Sequence, residues 1–439
     1  PERKANQSKT MTESKYEYKQ ERIDEVMHVY NHKSGLNVFV MPKKGYLKKY
    51  VAFAVHYGSI DNKFIDTDSQ EIISMPEGIA HFLEHKLFDQ EEGSIMDKFS
   101  ELGSNPNAYT TFNRTVYYFS CTDKFTENLE LLLDFVQNPY FTDETVEKEK
   151  EIIKQEISMY DDNPEWKSFF NYLKLLYAAN PVREVIAGNF NSISQIDKSM
   201  LYKCYEMFYQ PSNMVIFAIG DIDYEEIFKT VDSKIINKSP ARKISKWRPE
   251  EPLNLNGEYT EEKMHISTPL FQMGFKDNGE GLAGEELLMR EIAIKILLEI
   301  FFGRSSKLYK QLYDEGLVYN PFEFDYTAEE NYAYSMIRGE SADPLKVKDR
   351  ILKTVEDYLN NGIKREDYER IRNSMYGKSV RWFNSMEKTL DMFITNYFRK
   401  TNIFDYFNIY DKITLEYTMN TMKSHFKRDM FAASVIKSI

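Results

Sequence analysis

The chain has 439 residues, of which 42% are hydrophobic and 15% aromatic, enough to fill more than one core. Its formal net charge of −12 argues against nucleic-acid binding, which needs a basic face. Because it holds no run of about twenty apolar residues and no apolar signal core, the sequence predicts no membrane association and no secretory leader. With only two cysteines, Cys121 and Cys204, we expect a cytoplasmic protein without disulfides. Polar residues 1–15 are expected to be a tail or a remnant of expression.

The first informative element is a short apolar segment that contains His81-Phe82-Leu83-Glu84-His85. In a helix, residues four apart lie on one face, so the two imidazoles stack and Glu84 leans toward them. H-x-x-E-H is the inverted form of the zincin signature H-E-x-x-H, in which two histidines bind zinc beside a general base. The motif predicts a zinc-binding helix, and the alternative is a solvated helix with a structural histidine pair.

Residues 102–121 follow as a turn and a strand. Gly103-Ser104-Asn105-Pro106-Asn107 predicts the turn, and residues 108–120 are rich in Tyr, Thr, Val and Phe, as strands are.

Residues 142–160 predict a long charged helix that could supply the third zinc ligand. Apolar residues recur at helical spacing, and Glu149 and Glu156 lie two turns apart on one face. Glu156 has apolar neighbours near the predicted buried stripe, where a carboxylate is costly unless it is paired or bound to a cation. Most other acidic residues of this helix are expected to be solvated.

Five segments of the chain resemble the pitrilysin-type inverzincins, a zinc peptidase family that includes insulysin, the mitochondrial processing peptidase and small bacterial peptidases of similar length. The resemblance covers the N-terminal half at motif level and the C-terminal half more weakly. The segments are GIAHFLEHKLF, NAYTTFNRTVYYF, EKEKEIIKQEISMY, PVREVIAGNFNSI and YQPSNMVIFAIGDID.

The resemblance implies that His81, His85 and Glu156 bind one zinc ion per chain. Glu84 would be the catalytic base that takes a proton from a zinc-activated water, and Glu149 would be an outer-shell acid that orients a ligand.

The resemblance also implies that the strand within residues 102–121 is an edge strand beside the zinc, to which a peptide substrate adds through main-chain hydrogen bonds. Asn107, Ala108 and Tyr109 would lie nearest the peptide. The alternative is an ordinary core strand after a turn.

A stretch with three prolines and a cluster of basic residues predicts an exposed linker at residues 233–257. We therefore predict an N-terminal zinc-binding domain at 16–232 and a C-terminal domain at 258–439. Strands precede long helices in both halves, which favours an α+β fold made of a duplicated unit. The resemblance implies two α/β-roll domains, each an antiparallel-rich sheet with flanking helices, that face each other across a chamber, the second without a metal.

One departure from the family concerns an Arg that stands seven residues before a Tyr in many relatives and assists at the transition state. Tyr319 matches the Tyr, but position 312 is Leu, and Arg304 has the wrong offset. Tyr319 is either a donor to the substrate carbonyl or a packed strand residue. We therefore hypothesise that the chain forms a homodimer, or a heterodimer with a related metal-free chain that supplies the missing pair.

Two functions fit the sequence. The first is a zinc endopeptidase for short or unfolded peptides, including leader or signal-type peptides. The second is a non-catalytic scaffold or peptide-binding subunit of the same fold. The complete set of ligands and base favours the peptidase.

Overall fold

The computed structural model describes residues 14–66, 69–236 and 244–439. They form two compact units, each assembled from separate stretches of the chain. Unit 1 comprises residues up to Ile157, Val185–Arg248 and Trp382–Thr395, and unit 2 comprises Ser158–Glu184, Pro249–Arg381 and Asn396–Ile439.

Unit 1 is built on a seven-stranded sheet in the order β1-β2-β3-β11-β4-β10-β9. All neighbours in it are antiparallel except β3 and β11. Two small hairpins, β5/β6 and β7/β8, lie outside this sheet. The strands of unit 1 are β1 (Lys15–Gln20), β2 (Glu25–Asn31), β3 (Asn37–Pro42), β4 (Lys49–Val55), β5 (Lys63–Ile65), β6 (Ile72–Ser74), β7 (Asp89–Gln90), β8 (Gly93–Ser94), β9 (Asn105–Thr110), β10 (Thr115–Cys121) and β11 (Met214–Gly220).

Helices flank this sheet, and α1 packs against strands β9 and β10 at one end of it. The helices in the N-terminal half of the chain are α1 (Ile79–Leu87), α2 (Ile95–Glu101), α3 (Phe125–Gln137), α4 (Asp143–Asp161), α5 (Pro164–Leu176), α6 (Phe190–Ser194), α7 (Lys198–Phe208) and α8 (Tyr224–Lys234).

Unit 2 has a five-stranded sheet in the order β12-β16-β13-β15-β14, antiparallel except for the β12/β16 pair. Its strands are β12 (Tyr259–Met264), β13 (Leu270–Lys276), β14 (Glu323–Ala328), β15 (Ala333–Glu340) and β16 (Phe431–Ser438). The helices in the C-terminal half of the chain are α9 (Gly284–Phe302), α10 (Lys307–Asp314), α11 (Pro344–Asn361), α12 (Arg365–Trp382), α13 (Met386–Phe398), α14 (Asp405–Lys412) and α15 (Leu415–His425). The predicted α+β class is confirmed.

Helix α13 belongs to unit 1 up to Thr395, although it comes late in the chain. Its Phe393 stacks on Phe217 of β11, with ring centroids 4.1 Å apart, and also contacts Phe39 of β3. All three rings are buried. Aromatic rings bury large apolar areas, so this helix completes the core of unit 1.

The two units interleave along the sequence. Residues 158–184, from the N-terminal half of the chain, belong to unit 2, and residues 382–395, from the C-terminal half, belong to unit 1. The domains at 16–232 and 258–439 remain a prediction about the sequence. Part of the predicted linker and residues 1–13 of the predicted tail lie outside the described residues, and the first strand already begins at Lys15.

The predicted turn at 103–107 and strand at 108–120 are wrong in detail. The chain forms a hairpin instead, with β9 starting at Asn105 and pairing antiparallel to β10. The reversal lies at residues 111–114, where the backbone N–H of Thr111 donates to the carbonyl of Arg114. Side-chain preference marks residues as strand-forming but does not show where two strands meet.

Among the described residues, no helix combines the length and the apolar character that crossing a bilayer requires.

Candidate metal centre

Helix α1 is positioned by the glycine that precedes it and by the burial of most of its side chains. Gly78 precedes the helix with φ of +86°, and a Cβ there would lie 2.4 Å from the carbonyl oxygen of Ala187. Only glycine combines this left-handed conformation with so close a backbone approach. Eight of the nine helix residues are buried, and His85 is the exception. Helix α1 is therefore fixed in the core, and the face that carries His81 and His85 lies at the edge of the core.

His81, His85 and Glu156, the three residues that the resemblance implies as ligands, lie close together at this edge of the core. The Nε2 atom of His81 lies 3.6 Å from Oε1 of Glu156, and Nε2 of His85 lies 3.7 Å from Oε2 of Glu156. One ligand atom from each residue fits within 4.8 Å of the others. A tetrahedral zinc ion with bonds of about 2.0–2.2 Å needs ligand atoms roughly 3.4 Å apart, so these three residues fit such an ion.

Glu149 orients one of the two imidazoles. Its Oε1 lies 2.9 Å from Nδ1 of His85, so Nδ1 carries the proton and Nε2 presents its lone pair. The Nδ1 atom of His81 is buried without a hydrogen-bond partner among the described residues.

The electrostatics of the site favour a bound cation. Three carboxylates, those of Glu84, Glu149 and Glu156, surround two imidazoles. Burial lowers the pKa of His81 to about 3, with a further contribution from His85. The pKa of His85 is raised: burial opposes its charge, but the hydrogen bond to Glu149 and the charges of Glu84 and Glu149 outweigh it. A neutral His81 is ready to bind a metal, and the excess negative charge around His85 is what a divalent cation would neutralise.

Glu84 is buried, as Glu149 is, whereas the Glu156 side chain is 26% exposed. Glu84 is 7% exposed, and burial raises its pKa to about 7 against the opposing hydrogen bond from Thr110. The Thr110 hydroxyl donates to Oε2 of Glu84 at 2.5 Å. Thr110 in turn lies 3.4 Å from Thr115, whose hydroxyl donates to the carbonyl of Tyr57. A carboxyl group with a pKa near 7 is suited to exchanging protons at neutral pH.

Strand β9, which carries Thr110, is the terminal strand of its sheet, as predicted. Asn107 is exposed, while Ala108 and Tyr109 are half-buried. The Asn107 side chain accepts a hydrogen bond from the backbone N–H of Ala108. A terminal strand leaves one row of main-chain groups available for pairing with an added strand.

Comparisons with known proteins identify the family of the chain. Residues 65–189 match the model for insulinase, peptidase family M16, and residues 195–375 match the model for the peptidase M16 inactive domain. The chain is 39% identical to the uncharacterized zinc protease YmfH of Bacillus subtilis, over 93% of this chain and 96% of that protein. The chain belongs to the M16 peptidase family.

Solved structures of M16 proteins share the fold. An M16-like peptidase from Alicyclobacillus acidocaldarius superposes with a TM-score of 0.91 at 33% identity, over 94% of this chain and 99% of that one. Pitrilysin superposes with a TM-score of 0.77 at 14% identity, over 97% of this chain and 46% of that one, which shows likeness of fold alone.

Tyr319 and the two positions considered for its arginine partner, Leu312 and Arg304, lie in unit 2. Tyr319 is 67% exposed, so it is not the packed strand residue of the alternative interpretation. Leu312, at the position where the family resemblance implies an arginine, is fully buried in α10. Arg304 follows the end of α9 and is exposed. The proposed role of Tyr319 remains a prediction.

Two partners of strand β9 side chains were not predicted from the sequence. Thr110 contacts Glu84, and Tyr109 donates to Asp391, 282 residues further along the chain. Thr110 lies in the strand-like run, but nothing local marks its hydroxyl as a partner of Glu84. Asp391 carries no local signal, because only the packing of α13 into unit 1 brings it near.

Proposed function

We propose that this chain is a zinc-dependent endopeptidase that hydrolyses unfolded or short peptides, possible substrates being leader or signal-type peptides. The observation that carries the proposal is the convergence of His81, His85 and Glu156 beside the buried Glu84. Relatives named zinc proteases support the metal.

Zinc held by those three residues would polarise the scissile carbonyl and lower the pKa of a water molecule. The chain's own residues then divide the remaining work. Glu84 accepts the water proton and delivers it to the leaving amine. Thr110 holds Glu84 in place, and Glu149 holds His85. Strand β9 aligns the peptide through main-chain hydrogen bonds, so sequence selectivity comes from side-chain pockets.

The test combines metal analysis with cleavage of a quenched-fluorescent peptide library. The wild-type chain is expected to hold one zinc and to cleave peptides, and a chelator should abolish cleavage. Glu84→Gln should keep the zinc and lose turnover, by roughly a hundredfold or more. Glu144→Gln, on the exposed face of the same helix as Glu156, is the matched control and should behave as wild type. Normal turnover in Glu84→Gln would remove Glu84 from the mechanism.

The alternative function is a non-catalytic peptide-binding subunit of the same fold. One observation favours it: a buried Leu312 occupies the position where the family resemblance implies an arginine. Within the peptidase proposal, the same observation supports a homodimer or a heterodimer in which a partner chain supplies that group. Cleavage assays on size-separated fractions distinguish these cases. Robust cleavage by a proven monomer contradicts the dimer, and zinc binding without cleavage in any assembly supports the subunit.

A further inference from the structure

A cavity lies in unit 2. It has a volume of about 630 Å³, within the range of roughly 300–1,000 Å³ that holds small ligands in proteins. Its walls come from the first residues of β13, the end of β15, the approach to β14 and its first residues, the C-terminal end of α9, two residues of α5 and one residue of α12.

Two polar side chains of the wall are buried but unsatisfied. Ser168 of α5 is 1% exposed, and Gln272 of β13 is 3% exposed. The hydroxyl of Ser168 and the amide nitrogen of Gln272 have no hydrogen-bond partner among the described residues, and both residues line the cavity. A buried polar atom without a partner destabilises a fold by about 1–3 kcal/mol, so such atoms commonly mark a place where a ligand completes the hydrogen bonding.

The wall carries three cationic side chains, and two of them, Arg338 and Lys378, are paired with glutamates. Arg338 donates to Glu323 at 2.8 Å and to Glu165 at 3.2 Å. Lys378 donates to Glu299 at 3.3 Å. Arg304, just past the end of α9, makes no ion pair with any residue that the structure describes. Its guanidinium is thus the available partner for an anionic group, and guanidinium binds carboxylates with two parallel hydrogen bonds.

The composition of the wall narrows the ligand class. Glutamates at 165, 299, 323 and 340 line the cavity and disfavour a polyphosphate or a nucleotide. The charges disfavour a lipid chain, yet Leu270, Phe271 and Phe322 offer apolar surface. A ligand with one carboxylate, with main-chain donors and acceptors, and with apolar side chains would match the free guanidinium, the two unsatisfied polar atoms and the apolar surface of the wall.

We propose that this cavity of unit 2 binds a short peptide, with the peptide's C-terminal carboxylate on Arg304 and its main-chain groups on Ser168 and Gln272. Such a ligand would be a peptide product or a released peptide end. The binding is separable from the proposed cleavage, because none of these residues belongs to the metal centre.

The test measures binding by isothermal titration calorimetry in the Glu84→Gln background, so that the probe is not consumed. The probe is the tetrapeptide Ala-Phe-Ala-Ala, compared with the same peptide as a C-terminal amide and with its N-acetylated form. The free acid should bind about tenfold or more tightly than the amide, because the amide lacks the charge that Arg304 pairs with. N-acetylation should have little effect.

The variants then place the binding in the cavity. Arg304→Gln should weaken binding of the acid by about tenfold and remove the difference between acid and amide, as expected for two groups that interact directly. Arg428→Gln, an exposed arginine of unit 2 outside the cavity wall, should bind as the background chain does. Ser168→Ala should lower affinity without lowering the melting temperature, because the hydroxyl makes no contact that stabilises the free protein.

Equal affinities for acid and amide, an unaltered affinity in Arg304→Gln, or no binding by the unsubstituted cavity would each overturn the proposal. These outcomes are distinguishable from failure of the proposed function. A wild-type chain that cleaves nothing, while Arg304-dependent binding persists, contradicts the peptidase alone.

Discussion

Glu84 and Glu156 are both helical glutamates at the metal centre, but their different surroundings suit them to different roles. Glu84 is 7% exposed and bonded to a hydroxyl, whereas the Glu156 side chain is 26% exposed and faces two imidazole nitrogens. A buried carboxyl with a raised pKa can give and take protons near neutrality, while a carboxylate beside two lone pairs is suited to binding a cation.

Thr110 is predicted to govern how well Glu84 performs. Thr110→Val keeps the shape but removes the hydrogen bond at 2.5 Å, so we expect kcat to fall roughly ten- to a hundredfold as the base loses its alignment. KM and zinc content should change little. Steady-state kinetics with metal analysis measure this, and Thr110→Ser should restore kcat. A Ser variant as slow as the Val variant would show that the hydroxyl is not what matters.

Glu149 is predicted to act through His85 on the metal. In Glu149→Gln the neutral amide no longer favours the correct imidazole proton as strongly, so zinc affinity should fall about 10–100-fold. Competition against a chromophoric chelator measures this. The control is Glu151→Gln, because Glu151 pairs with Lys154 at the surface of the same helix and should leave affinity unchanged.

The raised pKa of His85 predicts a pH dependence of zinc affinity. A histidine must lose a proton to bind a metal. Because the pKa of His85 is raised, protons compete with zinc for this imidazole at a higher pH than they would for an ordinary histidine. Affinity should therefore be constant at alkaline pH and fall as the pH drops through the raised pKa, by about tenfold per pH unit once one proton is displaced. Zinc titrations from pH 9 to pH 5 test this. A flat profile across that range would contradict the assigned protonation.

At the scale of elements, long periodic segments were predictable and strand boundaries were not. The helix expected at 142–160 is observed at Asp143–Asp161, because capping and apolar spacing are local properties. Within it Ile152, one of the apolar residues that recur at helical spacing, is 45% exposed, whereas Glu149 is buried. The pattern alone cannot show that a charged residue lines the inner face when a metal centre lies there.

The late helix α13 is predicted to be a stability element of unit 1. Phe393→Ala removes the ring that packs on Phe217 and Phe39, and should lower the free energy of unfolding of unit 1 by about 3–5 kcal/mol. Urea unfolding followed by near-UV circular dichroism measures this. Phe190→Ala is the control, because that ring is 47% exposed and its loss should change stability by less than about 0.5 kcal/mol.

At the scale of the whole molecule, the family and the α+β class were accessible from the sequence because they depend on short motifs and on the order of elements. The makeup of the compact units was not. Residues 158–184 and 382–395 each belong to a different unit from the residues that flank them in the sequence, and Asp391 reaches Tyr109 only because residues 382–395 belong to unit 1. Such long-range contacts leave no trace in local spacing.

Metal binding should also be visible in the stability of the entire chain. A ligand that binds only the folded state stabilises it by about 2.7 kcal/mol at a hundred times its dissociation constant. Zinc added to the chelated protein should therefore raise the melting temperature, and His81→Ala should abolish most of that rise. Calorimetry checks both, and an equal rise in the variant would mean that zinc binds elsewhere.

The interleaved arrangement has a consequence for biosynthesis. A ribosome makes Phe39 and Phe217 long before Phe393, so the growing polypeptide carries an open apolar face until α13 has emerged. Nascent chains stalled before residue 386 should be held by chaperones or degraded, and a gene split between the two halves should yield an N-terminal fragment that aggregates unless residues 382–395 are fused back to it.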